Sequence, residues 1–178
     1  MSDSTIELLT GSALHHKVIQ QGVLLAEKFV WIATANLKDM HIAMARGRYK
    51  PILEAFDEMA ERGISFRIVH SDIPSKPFRN TLERFARLTG GALELQTCPR
   101  SHWKMVIVDG KLAYCGSANF TGAGLGAKSE QRRNLELGFF SDQASFVNEL
   151  TGLFDSFWMG KYCRDCGRKD LCPDPIET

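Results

Sequence analysis

The fold of this chain turns on the stretch His102-Trp-Lys-Met-Val-Ile-Val-Asp109-Gly110-Lys-Leu-Ala-Tyr-Cys-Gly116-Ser-Ala-Asn119. Two apolar runs flank Asp109-Gly110, a pair suited to the tight turn between antiparallel strands. The pattern predicts a hairpin with strands near His102–Val108 and Leu112–Gly116. Residues two apart in a strand share a face, so His102 and Lys104 are expected to project together. The return strand would bring Gly116, Ser117 and Asn119 back to the start of its partner. A histidine is a nucleophile whose unperturbed pKa lies near neutrality. A lysine beside it supplies the fixed positive charge that suits a phosphate. Asn119 adds an amide donor, and Gly116 lets backbone come close. Asp109 is expected to bond turn backbone rather than do chemistry.

Outward from the hairpin the chain alternates helix and strand. Leu14, Val18, Leu25 and Phe29 recur at near-helical spacing and predict a first helix, which runs into a buried strand over 30–35. A second helix has Pro51 near its start, Ile52, Phe56, Met59 and Ala60 on one face, and Gly63 just past its end. Then come a strand over 64–69, a helix over 77–88 and a strand over 92–96. Beyond the hairpin, Thr121–Lys128 is Gly-rich and reads as a loop, and 135–140 reads as a strand. Phe146, Val147, Leu150, Leu153, Phe154 and Phe157 form the apolar stripe of a last helix. This alternation implies an α/β fold, a sheet flanked by helices on both faces. The antiparallel hairpin makes the sheet mixed. A length of 178 residues suits one domain, here 1–160, followed by a Cys-rich tail, 161–178.

His-x-Lys-x4-Asp, then six residues, then Gly-Ser-x-Asn resembles the signature of the phospholipase D superfamily. Asn134-Leu-Glu136 is similar to that family's Asn-x-Glu strand, and the aromatic helix ending in Phe157-Trp158 to its closing helix. The resemblance spans most of residues 8–160. It implies that His102 attacks phosphorus to give a phosphohistidine, that Lys104 and Asn119 hold non-bridging oxygens with Ser117 nearby, and that Glu136 orients His102. It implies no metal for this chemistry. His15, His16, His41 and His70 read instead as structural residues.

Most of the superfamily carries the signature twice, and here the full signature occurs once. The mechanism needs two histidines, one to attack and one to protonate the leaving oxygen. A symmetric homodimer would supply both, as in the small dimeric nucleases of the family. Nucleic acid, DNA or RNA, is the expected partner, with Arg100, Lys128, Arg132 and Arg133 binding backbone phosphates. The alternatives are a phospholipase D or phosphatidyl transferase and a catalytically silent nucleic-acid-binding subunit. A net charge of +1 does not separate them, because a balanced total can hide a basic patch. No apolar run approaches the roughly 20 residues of a membrane span. The N-terminus has no signal-peptide pattern, so the chain reads as soluble and cytoplasmic.

Five cysteines remain. Cys163-x2-Cys166-x5-Cys172 spaces thiolates as in zinc or iron–sulfur sites, which take four ligands. Cys98, in a loop-like Thr-Cys-Pro context, is favoured over Cys115 as the fourth. The pattern resembles the iron–sulfur staple of RecB-type nuclease domains. A 4Fe–4S cluster is the expected cofactor of the tail, with zinc as the alternative.

Overall fold

A computed structural model of the chain describes residues 5–43 and 48–176. Its strands are β1 (Ile6–Thr10), β2 (Phe29–Thr34), β3 (His41–Ala43), β4 (Tyr49–Pro51), β5 (Ser65–His70), β6 (Leu93–Thr97), β7 (Met105–Val108), β8 (Leu112–Gly116) and β9 (Leu137–Ser141). Its helices are α1 (Ser12–Leu14), which continues as a π-helix over His15–Gln20, then α2 (Ile52–Glu61), α3 (Lys76–Leu82) and α4 (Ala144–Trp158). One seven-stranded sheet runs β1-β9-β8-β7-β2-β5-β6, and β3 and β4 pair separately. The pairs β2–β5 and β5–β6 are parallel, and the other neighbours in the large sheet are antiparallel. The sheet is therefore mixed, as the hairpin required.

Strand alternation divides the core in two. Val30, Ile32, Phe66, Ile68, Val106 and Val108 face a large cluster with Val18, Ile19, Phe56, Met59 and Phe78 from the helices of one side. Phe56 and Phe66 stack there with ring centroids 4.2 Å apart. On the opposite face Ala33, Val69, Met105, Ile107 and Ala113 meet Val147 and Phe154 of α4. Trp31 stacks on Phe154 at 5.1 Å, and the Arg67 guanidinium lies over both Trp31 and Trp158. Such cation–π contacts and ring stacking add to simple area burial.

Three expected boundaries move, each for a local reason. The first helix stops at Gln20 and does not reach Phe29, which already belongs to β2. At Gly22 the backbone turns so tightly that a Cβ would lie 2.6 Å from the Val18 carbonyl oxygen. The helix expected to Leu88 ends at Leu82 and resumes as a π-helical turn, Leu88–Ala92, from which Gly91 (φ 116°) leads into β6. The strand expected from His102 begins at Met105. Met105 is the last residue of β7 paired to β2, opposite Ala33, so 102–104 run on past the edge of that pairing. No helix among the described residues is long and apolar enough to cross a membrane.

Candidate active site

The parallel strands β2, β5 and β6 end at Thr34, His70 and Thr97. Ligand sites in open α/β sheets lie beyond such carboxyl ends, and the signature residues gather there. From Cys98 the chain makes a short turn, with Cys98 N–H bonded to the His70 carbonyl and Ser101 N–H to the Cys98 carbonyl. Ser71 donates to the Ser101 carbonyl. This pinned turn presents His102, which is exposed, and then Lys104, half-buried.

The Lys104 ammonium donates to the His102 carbonyl at 2.8 Å and lies 2.9 Å from Nδ1 and 3.2 Å from Nε2 of the same ring. An anion drawn to that charge arrives at the imidazole. Burial pushes the Lys104 pKa below the ordinary lysine value, against the carboxylate of Glu136, which raises it. On the return strand, Gly116 N–H donates to the Lys104 carbonyl at 3.1 Å, closing the hairpin at the site. Gly116 is obligatory: a Cβ there would lie 2.4 Å from the Leu137 carbonyl oxygen and 2.6 Å from the Tyr114 hydroxyl. Burial of that tyrosine pushes its pKa up to about 12.

Ser117 joins the hairpin to the next strand. Its N–H donates to the Leu137 carbonyl and its Oγ accepts from Leu137 N–H at 3.1 Å, while the hydroxyl donates to Glu136 Oε2. Asn134 donates to Glu136 Oε1 at 3.0 Å. Within this chain the Glu136 carboxylate thus accepts from Ser117 and Asn134. Asn119 is fixed end-on. Its Oδ1 accepts from Ala35 N–H (3.0 Å), Asn36 N–H (3.1 Å) and the Thr34 hydroxyl (3.3 Å). Nδ2 makes no hydrogen bond among the described residues, so the donor end of the amide remains available.

Asp109 does bond backbone, but of another segment than its own turn. Its carboxylate accepts from the N–H groups of Glu27, Lys28 and Phe29 at 2.8 to 2.9 Å. Those bonds fix the start of β2 against the far end of the hairpin, and Asp109 itself holds a left-handed φ of 56°. His70 is buried, with Nδ1 2.8 Å from the Asp72 carbonyl oxygen, a structural residue as expected. Trp103 packs on Phe157 at 5.3 Å. His15-His16-Lys17 repeats the His-x-Lys spacing, but on a helix, where residues two apart diverge. Gly22 stands where the signature has Asp, and Lys17 pairs with Glu7 at 3.0 Å. It is no second half-site.

The expected phosphate-binding cations divide. Lys128, Arg132 and Arg133 have no acidic partner within 4.0 Å among the described residues. Lys128 shares the walls of a groove of about 270 Å³ with Lys38, Thr121 and Gly122, the last two just beyond Asn119. Lys38 escaped sequence reading because its link to this loop is purely tertiary. Arg100 donates to the Tyr162 carbonyl at 3.2 Å and its charge faces the tail thiols.

Cys98, Cys163, Cys166 and Cys172 line one cavity, whereas Cys115 lies in β8 against the α4 cluster. Burial raises the Cys115 and Cys172 pKa values, and the adjacent Arg100 lowers that of Cys166. Among the described residues no three His, Cys, Asp or Glu side chains are grouped so as to hold a metal ion.

The family described as "Cardiolipin synthase, PLD-like domain" matches residues 25–158. The chain belongs to this phospholipase-D-like family and has the fold of its phosphodiester-processing enzymes. Solved structures agree on the fold. NucT from Helicobacter pylori is similar with a TM-score of 0.63 at 16% identity, over 88% of this chain and 96% of its own. Nuc from Salmonella typhimurium, a phospholipase D family member, reaches 0.60 at 16% identity over 88% and 95%. Phosphatidylserine synthase from Haemophilus influenzae reaches 0.56 at 17% identity, over 85% of this chain but 38% of its own. No curated protein sequence matches. The family match ends at residue 158, so nothing in these comparisons supports the likeness of the tail to RecB-type staples.

Proposed function

We propose that this chain is a metal-independent nuclease, cleaving DNA or RNA phosphodiesters through a phosphohistidine at a site shared by two copies. The observation that carries this reading is the meeting of the Lys104 ammonium and the His102 imidazole beside Ser117, Glu136 and the pinned amide of Asn119. His102 attacks phosphorus, forming an N–P bond as the P–O ester bond breaks. The leaving oxygen takes its proton from His102 of the partner subunit. Water then attacks the phosphohistidine and gives a proton back to that second imidazole. Lys104 and Asn119 Nδ2 balance the charge that develops on the non-bridging oxygens.

A second copy has a surface to occupy. Ile6, Leu8, Leu137 and Phe139 share one sheet face at β1 and β9 and are 51%, 61%, 52% and 45% exposed. Leu135, two residues before β9, is also exposed. Burying this face in an isologous contact would bring two half-sites together. Lys38, Lys128, Arg132 and Arg133 favour a polyanion over a single lipid headgroup. The fold is also that of TrmBL2, an archaeal chromatin protein described as binding DNA.

The test is cleavage in EDTA of labelled single- and double-stranded DNA, RNA and phosphatidylcholine, with His102→Ala as control. The reading expects nucleic-acid cleavage that EDTA spares and the substitution abolishes. Cleavage of phosphatidylcholine alone, or binding of nucleic acid without turnover, contradicts it.

A further inference from the structure

The phosphodiester site leaves one concentration of chemistry unused, the thiols of the tail. Cys163 and Cys166 follow α4, and Cys172 follows a single 3-10 turn, Lys169–Leu171. Three polar ties hold this segment to the turn that precedes His102. Asp174 accepts from Thr97 N–H at 2.7 Å, Arg168 donates to the Pro99 carbonyl at 3.0 Å, and Arg100 donates to the Tyr162 carbonyl. Between tail and turn lies a cavity of about 280 Å³, lined by Cys98, Cys163, Cys166 and Cys172. Its remaining walls include Trp103, Phe157 and Tyr162, together with Arg100, Lys169 and Asp174.

Four soft ligands with no competing imidazole select zinc or an iron–sulfur cluster. The two need different geometries. A single zinc ion draws four sulfurs to a point at about 2.3 Å each, whereas a cluster keeps its thiolates apart with inorganic core between them. Here all four thiols line one cavity of about 280 Å³, and among the described residues no three such side chains are grouped as a single ion requires. Aromatic side chains supply part of the cavity wall, and Arg100 and Lys169 offset the net negative charge of a core carrying four thiolates. Both are levers by which a protein stabilises such a cluster.

We propose that Cys98, Cys163, Cys166 and Cys172 hold a 4Fe–4S cluster. Each thiol loses its proton to solvent on ligation, and iron and sulfide are taken up from the medium. The cluster joins the tail to a residue four positions before His102, and so fixes the turn that presents the imidazole. Cys115, in the sheet, takes no part. This assignment does not rest on the phosphodiesterase reading, since it concerns other side chains and has its own readout.

The experiment is anaerobic purification of the full chain, followed by iron and sulfide analysis, optical absorption, and EPR after dithionite reduction. The expected protein is brown, absorbs near about 400 nm and carries about four irons and four sulfides per chain. Cys98→Ser and Cys163→Ser should lose the colour, and Cys115→Ser should keep it. A protein that stays colourless after anaerobic incubation with ferrous iron and sulfide overturns the proposal, whatever the variants do. So does stoichiometric zinc on four thiolates, or full colour retained in Cys98→Ser.

Discussion

The hairpin site and the cysteine tail lie on either side of the same short turn, yet they are organised in opposite ways. Around His102 the supporting groups are held by strand pairing and by side-chain bonds to neighbouring segments. β7 and β8 pair with each other and with neighbours on both sides, Asp109 anchors the far end, Asn119 is tied to 34–36 and Ser117 to 136–137. The described residues of the tail pair with no strand and meet the turn through three polar ties, the edge-on contact of Tyr162 with Trp103 and a cavity of thiols. The first region is preorganised by folding, and the second would be completed by the proposed cluster. A sheet fixes side chains before any substrate arrives, which suits charge stabilisation. A loop of thiols gains its order from what it binds.

The largest expected contrast is catalytic. His102→Ala should lower turnover by at least about 10⁴-fold with the circular dichroism spectrum unchanged, because on the proposed mechanism it removes the nucleophile and leaves the sheet intact. Activity within about tenfold of the parent would mean that the hairpin does not supply the reacting group.

Next is the far end of the hairpin. Asp109→Ala removes one carboxylate from three backbone N–H groups and places alanine at a left-handed φ, and should cost about 3 kcal/mol in urea unfolding. Asp109→Asn, which tolerates that φ, should lose about half as much. An unchanged midpoint for both would show that the anchor is dispensable.

A smaller effect concerns pH. Burial lowers the Lys104 pKa, so its neutral form appears at a lower pH than for a free lysine. Activity that needs the ammonium should therefore fall on the alkaline side before the ordinary lysine range is reached. In Lys104→Arg the charge persists to higher pH, so the alkaline limb of whatever activity remains should move upward. A limb that stays in place assigns it to another group.

The mildest prediction separates the two regions themselves. Limited proteolysis of cluster-free protein should cut within 161–176 and leave the sheet domain whole, whereas cluster-loaded protein resists at both. Equal resistance in the two forms would mean that the polar ties alone order the tail.

Much of the hairpin was legible because its signals are local. Asp109-Gly110 marks the turn, and the Gly116, Ser117 and Asn119 spacing survives any small error in strand ends. The errors fall where distant segments decide. His102 and Lys104 precede the strand because β2 pairs with β7 only to Ala33, a limit set by a segment some seventy residues away. Thr34, which holds Asn119 across 85 residues of chain, and Lys38 carry no motif. β1 went unseen because a short edge strand is recognised by its partner β9, at the other end of the sequence. The contacts of Arg100 with Tyr162 and the thiols are likewise made only by the tertiary fold.

The central claim is that one chain holds half a site. Wild type and His102→Ala can be unfolded together, refolded at varying ratios and assayed for total cleavage. If each site needs His102 from both subunits, activity follows the square of the wild-type fraction, about one quarter at an equal mixture. If each chain acts alone, activity falls in simple proportion, to about one half, and the shared site is contradicted.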